Sequence, residues 1–219
     1  MLAAVLFDLD GTLADTAPDL GGALNRLLEE EGRAPLPLPQ LRPHVSGGAR
    51  GLIRAGFGLA PGDADYPGLV ERFLEHYRGA LCAGTVMFPG VAALLDGIEA
   101  RGIKWGVVTN KAQRFTLPLV EQLGLLQRAG CIVSGDSALR PKPDPSPLLL
   151  ACAALRVAPE HVIYVGDDLR DIVAGRAAGM RTVAAAYGYL GGDEPYQSWR
   201  ADEVVSDPLD IIGLLERAC

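Results

Sequence analysis

Several things are scarce in this sequence, and each scarcity excludes a class of protein. Four cysteines (Cys82, Cys131, Cys152 and Cys219) are spread through 219 residues with no Cys-x-x-Cys spacing. Neither a zinc site nor a disulfide framework is indicated, and a reduced, cytoplasmic setting is expected. Positive charge is in deficit: 20 Lys and Arg stand against 27 Asp and Glu, a formal net charge of -7. Nucleic acid is bound with a surplus of Lys and Arg, so no such partner is expected. No apolar stretch approaches the roughly 20 residues that a membrane helix needs. The N-terminus has no basic start and meets Asp8 too early for a signal-peptide core. Internal repeats and low-complexity segments are also missing. The expected partner is a small molecule, and the chain is expected to be a monomer or a homodimer.

What is present is a strand-and-helix alternation. The chain is 49% hydrophobic, long enough for one core and a small accessory domain. Residues 3–8 form a continuous apolar run ending in acid, the pattern of a strand buried on both faces of a parallel sheet. Similar runs cover residues 103–109, 131–134, 161–165 and 181–185. Helical spacing fills the gaps at 91–101, 115–123, 145–155 and 169–178. Gly102 and Gly179 follow two of these helices, where glycine is favoured. Asp144 and Pro145 read as an N-cap followed by Pro at the first helical position. The alternation implies an α/β fold, a doubly wound, Rossmann-like parallel sheet. Residues 16–83 differ. They carry helical patterns at 19–31, 49–57 and 69–81, a connector with Pro35, Pro37 and Pro39, and no strong strand run. The expectation is a core of residues 1–15 and 84–219, with 16–83 an all-helical insertion.

Four polar clusters sit where the strand runs stop. They are Asp8-Leu9-Asp10-Gly11-Thr12, Thr109-Asn110-Lys111, Lys142-Pro143-Asp144 and Gly166-Asp167-Asp168. A carboxylate at the end of a buried strand is costly unless something compensates it, and a divalent cation does so. Asp8 then suits a nucleophile that forms an aspartyl-phosphate. Asp10 suits the group that protonates the leaving oxygen and later activates water. Thr109 and the Asn110 amide suit the transferring phosphoryl oxygens, and the ammonium of Lys142 suits neutralising both Asp8 and the phosphate. Asp167, with Asp168 and Asp171 beyond it, supplies hard oxygens for Mg²⁺. Each cluster alone also fits a solvated turn, and Asp168 also fits a helix N-cap. Four complementary groups at four strand ends are hard to explain as independent accidents.

These motifs resemble those of the haloacid dehalogenase superfamily of phosphohydrolases. Asp8-Leu9-Asp10-Gly11-Thr12-Leu13 is similar to its first motif, Thr109-Asn110 to its second, Lys142-Pro143 to its third and Gly166-Asp167-Asp168-Leu169-Arg170-Asp171 to its fourth. The resemblance spans the chain. It implies a Rossmann-like core with a helical cap inserted after the first motif, Asp8 as nucleophile, Asp10 as acid/base, and Thr109 and Lys142 on phosphate. It also implies Mg²⁺ held by Asp8, the Asp10 carbonyl and Asp167, with Asp168 and Asp171 in support. Dehalogenating members lack an acid at the position of Asp10, so dehalogenation is disfavoured. Within the superfamily the tail around Tyr187-Gly188-Tyr189 is similar to bacterial phosphoglycolate phosphatases. Ser46-Gly47-Gly48-Ala49-Arg50 and Trp105-Gly106-Val107-Val108-Thr109-Asn110-Lys111 bring the chain nearer to the N-acetylmuramic acid 6-phosphate phosphatases.

Substrate choice is expected in the insertion. Ser46 and Gly47 lie in a stretch able to approach a ligand, and Arg50 is the candidate for gripping a carboxylate. Both substrates carry a carboxylate, so Arg50 does not separate them. His44 and Lys111 are secondary candidates, and Trp105 is expected to pack in the core. The leading expectation is a Mg²⁺-dependent phosphomonoesterase that hydrolyses a small carboxylate-bearing phosphate ester through an aspartyl-phosphate, of the phosphoglycolate phosphatase type, with N-acetylmuramic acid 6-phosphate as the alternative substrate. A phosphomutase using the same Asp8, or a silent binding protein on the same fold, are the alternatives.

Overall fold

A computed structural model describes residues 2–192 and 194–218, so Cys219 lies outside the described residues. In chain order the elements are β1 (Ala4–Phe7), β2 (Ala14–Asp15), α1 (Ala17–Glu30), α2 (Leu38–Leu41), α3 (Gly48–Phe57) and α4 (Tyr66–Gly79). Then follow β3 (Val86–Met87), α5 (Val91–Ala100), β4 (Lys104–Val108), α6 (Gln113–Gln122), β5 (Cys131–Val133) and α7 (Ser146–Leu155). The last are β6 (Val162–Gly166), α8 (Leu169–Ala177), β7 (Arg181–Ala185), β8 (Glu203–Val205) and α9 (Asp210–Ala218).

Six strands form one sheet in the order β5-β4-β1-β6-β7-β8, and every pair is parallel. β1 is central, with Phe7 level with Val107 of β4 and Val165 of β6. Its side chains alternate between faces as strand geometry requires. Val5 and Phe7 join a cluster with Leu94 and Ile98 of α5, Leu119 of α6 and Leu215 of α9. Ala4 and Leu6 join the opposite cluster with Leu148 and Leu155 of α7 and Ala174 of α8. Helices on both faces explain why the strand runs are unbroken apolar stretches. From β1 the chain builds outward through β4 to β5, then returns to the other side at β6. Sheets of this kind bind ligands at the carboxyl ends of the strands beside that reversal.

Between β1 and α5 the chain makes its helical excursion. The residues of α1 that share one face, Leu20, Ala23, Leu24, Leu27 and Leu28, are all buried, against Leu52 and Ile53 of α3 and Phe73 and Tyr77 of α4. The Pro-rich connector is not featureless, since α2 and a 3-10 segment over Arg42–Gly47 follow it. The excursion leaves and returns at one place. β2 and β3 form a two-stranded antiparallel ribbon, with Ala14 opposite Met87 and Asp15 opposite Val86.

Local details follow the expected capping logic with one correction. Gly102 and Gly179 have φ of 67° and 79°, and each ends its helix with a backbone bond back into the last turn. Asp168 caps α8, and Asp171 completes a capping box. The N-cap of α7 is Pro145 rather than Asp144. Asp144 still serves the helix start, because its Oδ1 accepts from the Ser146 backbone N at 2.9 Å. Trp105 is buried in β4, its Nε1 donating to Glu99 Oε1 at 2.9 Å.

Candidate active site

The four clusters meet above the carboxyl ends of β1, β4 and β6. Asp8 stands immediately after β1, Thr109 after β4 and Asp167 after β6, and Lys142 enters from the loop between β5 and α7. Asp8, Thr109, Lys142, Asp167 and Asp171 are all buried.

Lys142 is the hub. Its Nζ donates to Asp171 Oδ1 at 2.7 Å, to Tyr164 Oη at 2.7 Å and to the Val108 carbonyl at 2.9 Å. It also lies 2.9 Å from Asp8 Oδ1. That last contact is an ion pair off the hydrogen-bonding direction, and Asp8 Oδ1 is buried without a hydrogen-bond partner. Burial opposes the charge on Lys142, yet the attraction of Asp171 and Asp8 outweighs it and holds the ammonium proton more firmly than usual. Asn110 fixes the backbone beneath this amine. Its Nδ2 donates to the Lys142 carbonyl and its Oδ1 accepts from the Lys142 N–H, both at 2.9 Å. The Asn110 side chain thus positions Lys142, a role the sequence did not suggest, while Asn110 also lines the cavity.

Asp8, Asp167 and Asp171 form a cluster in which one oxygen from each lies within 4.8 Å of the others. Burial raises the pKa of Asp8 from 3.8 to about 6; Lys142 opposes that shift, and Asp171 and Asp10 add to it. Burial, then Asp8, raises Asp167 well above the usual carboxylate range. Crowded acids with an orphaned oxygen are what a divalent cation relieves, so the donor set fits one. Asp171 contributes least to such a site. Its Oδ1 is taken by Lys142 and Tyr164, and its Oδ2 accepts from the Asp168 backbone N at 3.1 Å. Asp168 stands apart from the cluster. Its carboxylate caps α8 and pairs with Arg170, at 2.7 Å from Nε and 2.8 Å from Nη2.

Asp167 is held by groups from distant parts of the chain. Thr12 Oγ1 donates to Oδ1 at 3.2 Å and the Tyr189 backbone N to Oδ2 at 2.8 Å. Gly11, at φ 85°, lies so close to the carboxylate that a Cβ would collide with it. Asp10 is held on one oxygen only. Oδ1 accepts from Thr16 Oγ1 at 2.6 Å and faces Lys111 Nζ at 3.0 Å. Lys111 Nζ also donates to Tyr77 Oη of α4 at 2.9 Å, which ties the helical excursion to the site. Burial, the largest cause, pushes the Tyr77 hydroxyl up to about 12.

Over these groups lies a cavity of about 400 Å³. The core supplies Asp8, Asp10, Thr109, Lys142 and Arg170 to its wall, and the helices supply Ser46, Gly47, Phe73 and Tyr77. Ser46 Oγ is buried with no hydrogen-bond partner, and the Ser46 carbonyl accepts from Arg170 Nη2 at 2.5 Å. Arg50 does not meet the expectation placed on it. It is exposed on α3 and outside the cavity wall, as is His44. The arginines that do line the cavity are Arg114 and Arg170. Sequence reading also missed Tyr164 and Tyr77, and it named Tyr189 only as part of a tail resemblance, without a role. No motif marks Tyr164 or Tyr77, since each acts through a hydroxyl that meets its partner only in the fold.

Comparison with known proteins decides the family. The model of the haloacid dehalogenase-like hydrolase family matches residues 5–185. The chain belongs to the haloacid dehalogenase-like hydrolases. It is 42% identical over 217 residues to the N-acetylmuramic acid 6-phosphate phosphatase of Pseudomonas aeruginosa, covering 99% of this chain and 96% of that one. It is 44% identical over 205 residues to the phosphoglycolate phosphatase of Xanthomonas campestris pv. campestris, covering 94% and 92%. A crystal structure from Haemophilus somnus, titled a predicted phosphoglycolate phosphatase, superposes with a TM-score of 0.86 at 25% identity, covering 98% of each chain. Membership accounts for the parallel sheet and for the order of the four motifs. Among the described residues of this family member, no helix is long and apolar enough to cross a membrane.

Proposed function

We propose that this hydrolase is a Mg²⁺-dependent phosphomonoesterase that works through an aspartyl-phosphate on Asp8. The observation that carries the reading is the buried Asp8 carboxylate, whose Oδ1 lacks a hydrogen bond beside Lys142 on a cavity wall. Asp8, Asp167 and the Asp10 carbonyl would hold Mg²⁺, which supplies charge neutralisation for the phosphoryl oxygens. Asp8 attacks phosphorus and displaces the alcohol oxygen of the ester. Lys142 and Thr109 receive the phosphoryl oxygens, with Lys142 held at the required height by Asn110, Tyr164 and Asp171. Asp10 carries the proton to the leaving oxygen and then takes one from the water that attacks the aspartyl-phosphate. Both of its contacts fall on Oδ1, and Oδ2 makes no hydrogen bond among the described residues, so Oδ2 is the oxygen for this transfer.

Residues 16–83 act as a cap over a core of 1–15 and 84–219. The setting is the cytoplasm, and the ester is a small molecule carrying a carboxylate, as phosphoglycolate and N-acetylmuramic acid 6-phosphate both do. The cavity favours the larger of the two. Its volume of about 400 Å³ lies within the roughly 300–1,000 Å³ of pockets that enclose drug-sized ligands. Phe73, Tyr77 and Phe115 give it apolar walls suited to the face of a sugar. A two-carbon acid would leave most of that space unfilled. Specificity constants for the two esters, measured side by side with Mg²⁺, test the reading. A higher value for the sugar phosphate is expected, and the reverse order returns the assignment to phosphoglycolate. No phosphate release from either ester, or from an aryl phosphate, overturns the phosphatase reading itself.

A further inference from the structure

The cavity wall contains four cationic side chains, Lys111, Arg114, Lys142 and Arg170. Three of them are already neutralised by carboxylates of the chain. Lys142 pairs with Asp8 and Asp171 at 2.9 and 2.7 Å, Lys111 with Asp10 at 3.0 Å and Arg170 with Asp168 at 2.7 Å. Arg114 has no carboxylate within salt-bridge distance among the described residues. On its far side runs a groove that carries Glu71, Glu75 and Arg78, and neither glutamate closes onto it.

We propose that Arg114 is the specificity residue for the second anionic group of the substrate, a carboxylate held away from the phosphoryl group. The inference rests on the phosphatase reading given above. A second anion entering the cavity finds the buried amines occupied, and one guanidinium still without a counter-charge. Arg114 is placed to use it. It lies in the first turn of α6, just after the Thr109-Asn110-Lys111 segment that follows β4. Its guanidinium carbon lies over the Phe115 ring, 4.9 Å from the centroid, and Phe115 also lines the cavity. Stacking limits the freedom of the side chain and leaves its N–H edge for a planar carboxylate, which the guanidinium fork matches. Both Arg114 and Arg50 are exposed residues, but Arg114 is on the cavity wall and Arg50 is not, so Arg50 has no such geometry.

The test uses a matched pair of esters: N-acetylmuramic acid 6-phosphate, and N-acetylglucosamine 6-phosphate, which is the same sugar without the 3-O-lactyl group that carries the carboxylate. Wild type, Arg114→Gln and Arg114→Lys are compared with Mg²⁺. In Arg114→Gln the ratio of kcat/KM for the acid over the neutral ester is expected to fall by roughly tenfold to hundredfold, through KM of the acid. Arg114→Lys, which keeps the charge and loses the fork, is expected to fall between the two. Phosphoglycolate against ethyl phosphate repeats the comparison for the smaller acid. An unchanged ratio in Arg114→Gln overturns the proposal, even where both specificity constants drop together. A wild type that hydrolyses none of these esters removes the phosphatase reading and this subsite with it, an outcome distinct from an unchanged ratio.

Discussion

Lys142 Nζ stands 2.9 Å from Asp8 Oδ1, yet among the described residues that oxygen receives no hydrogen bond from it or from any other group. The amine's directed bonds go to Asp171, Tyr164 and Val108 instead. Lys142 thus lends Asp8 charge without occupying its lone pairs, which leaves the carboxylate available for a cation and for attack on phosphorus. The expected cost of Lys142→Met is twofold. Removing one member of a buried ion cluster destabilises by about 3–5 kcal/mol, read from urea unfolding of the metal-free protein. Loss of the phosphoryl-oxygen ligand lowers kcat by roughly a hundredfold or more. Wild-type stability in this variant would show that the cluster is not compensated by Lys142.

The raised pKa of Asp8 gives stability a definite pH dependence. Its ordinary value is 3.8 and burial carries it to about 6 in the folded chain. Between those values the folded chain holds a proton that the unfolded chain has released. Stability of the metal-free protein is therefore expected to fall as pH rises through this window, with the loss complete above about 6. Mg²⁺ binds the carboxylate form, so its stabilising effect is expected to grow through the same window. Thermal melts of wild type and Asp8→Asn, in chelator and in Mg²⁺, check both statements. The chelator slope should shrink in Asp8→Asn, and equal slopes would contradict the assignment.

Gly11 turns the chain at φ 85° against the Asp167 carboxylate. In Gly11→Ala the new methyl must displace that carboxylate and adopt a disfavoured backbone. A stability loss of about 1–3 kcal/mol is expected. Activity as a function of Mg²⁺ concentration should show a weaker metal dependence constant, on the order of tenfold, corresponding to about 1.4 kcal/mol. An unaltered Mg²⁺ dependence would mean that Asp167 does not bind the metal.

Tyr189 links two places. Its backbone N donates to Asp167, while its hydroxyl accepts from the Thr16 N at 2.6 Å and the Ala17 N at 3.0 Å and lies 3.0 Å from Asp15 Oδ1. The hydroxyl thereby caps α1, which has no side-chain cap of its own. Tyr189→Phe leaves the Thr16 N–H without a partner and the Ala17 N–H with only a 3.4 Å bond to Asp15 Oδ1, and a loss of about 1–3 kcal/mol in unfolding free energy is expected. Mg²⁺ dependence should be retained, because the bond to Asp167 comes from the backbone.

The sheet core was legible because its strands are buried on both faces and read as unbroken apolar runs. β8 was not, since Glu203-Val204-Val205 is a three-residue edge strand with a half-exposed Val204. β2 and β3 are two residues each, too short to show any period. α9 carries its signal in Ile211, Leu214 and Leu215, a helical spacing that a reading of strands and motifs passes over. At the site, Asp8, Thr109 and Asp167 could be named from strand ends, whereas Lys142 lies in the loop beyond β5 and is marked by its motif rather than by a strand. Arg114 could not be separated from Arg50, because an arginine's counter-charges are a property of the fold. The spending of Asn110 on Lys142 was equally hidden, 32 residues apart along the chain.

The most direct test is to locate the phosphoryl group. Asp10→Asn removes both the acid of the first step and the base of the second, so an aryl phosphate, whose leaving group needs no proton, is used: the covalent species should then accumulate when this variant is mixed with Mg²⁺ and the aryl phosphate and quenched in acid. Peptide mapping by mass spectrometry is expected to find one added phosphoryl group on the peptide containing Asp8, and none in Asp8→Asn. A phosphoryl group on another residue, or undiminished phosphate release by Asp8→Asn, would contradict nucleophilic attack by Asp8.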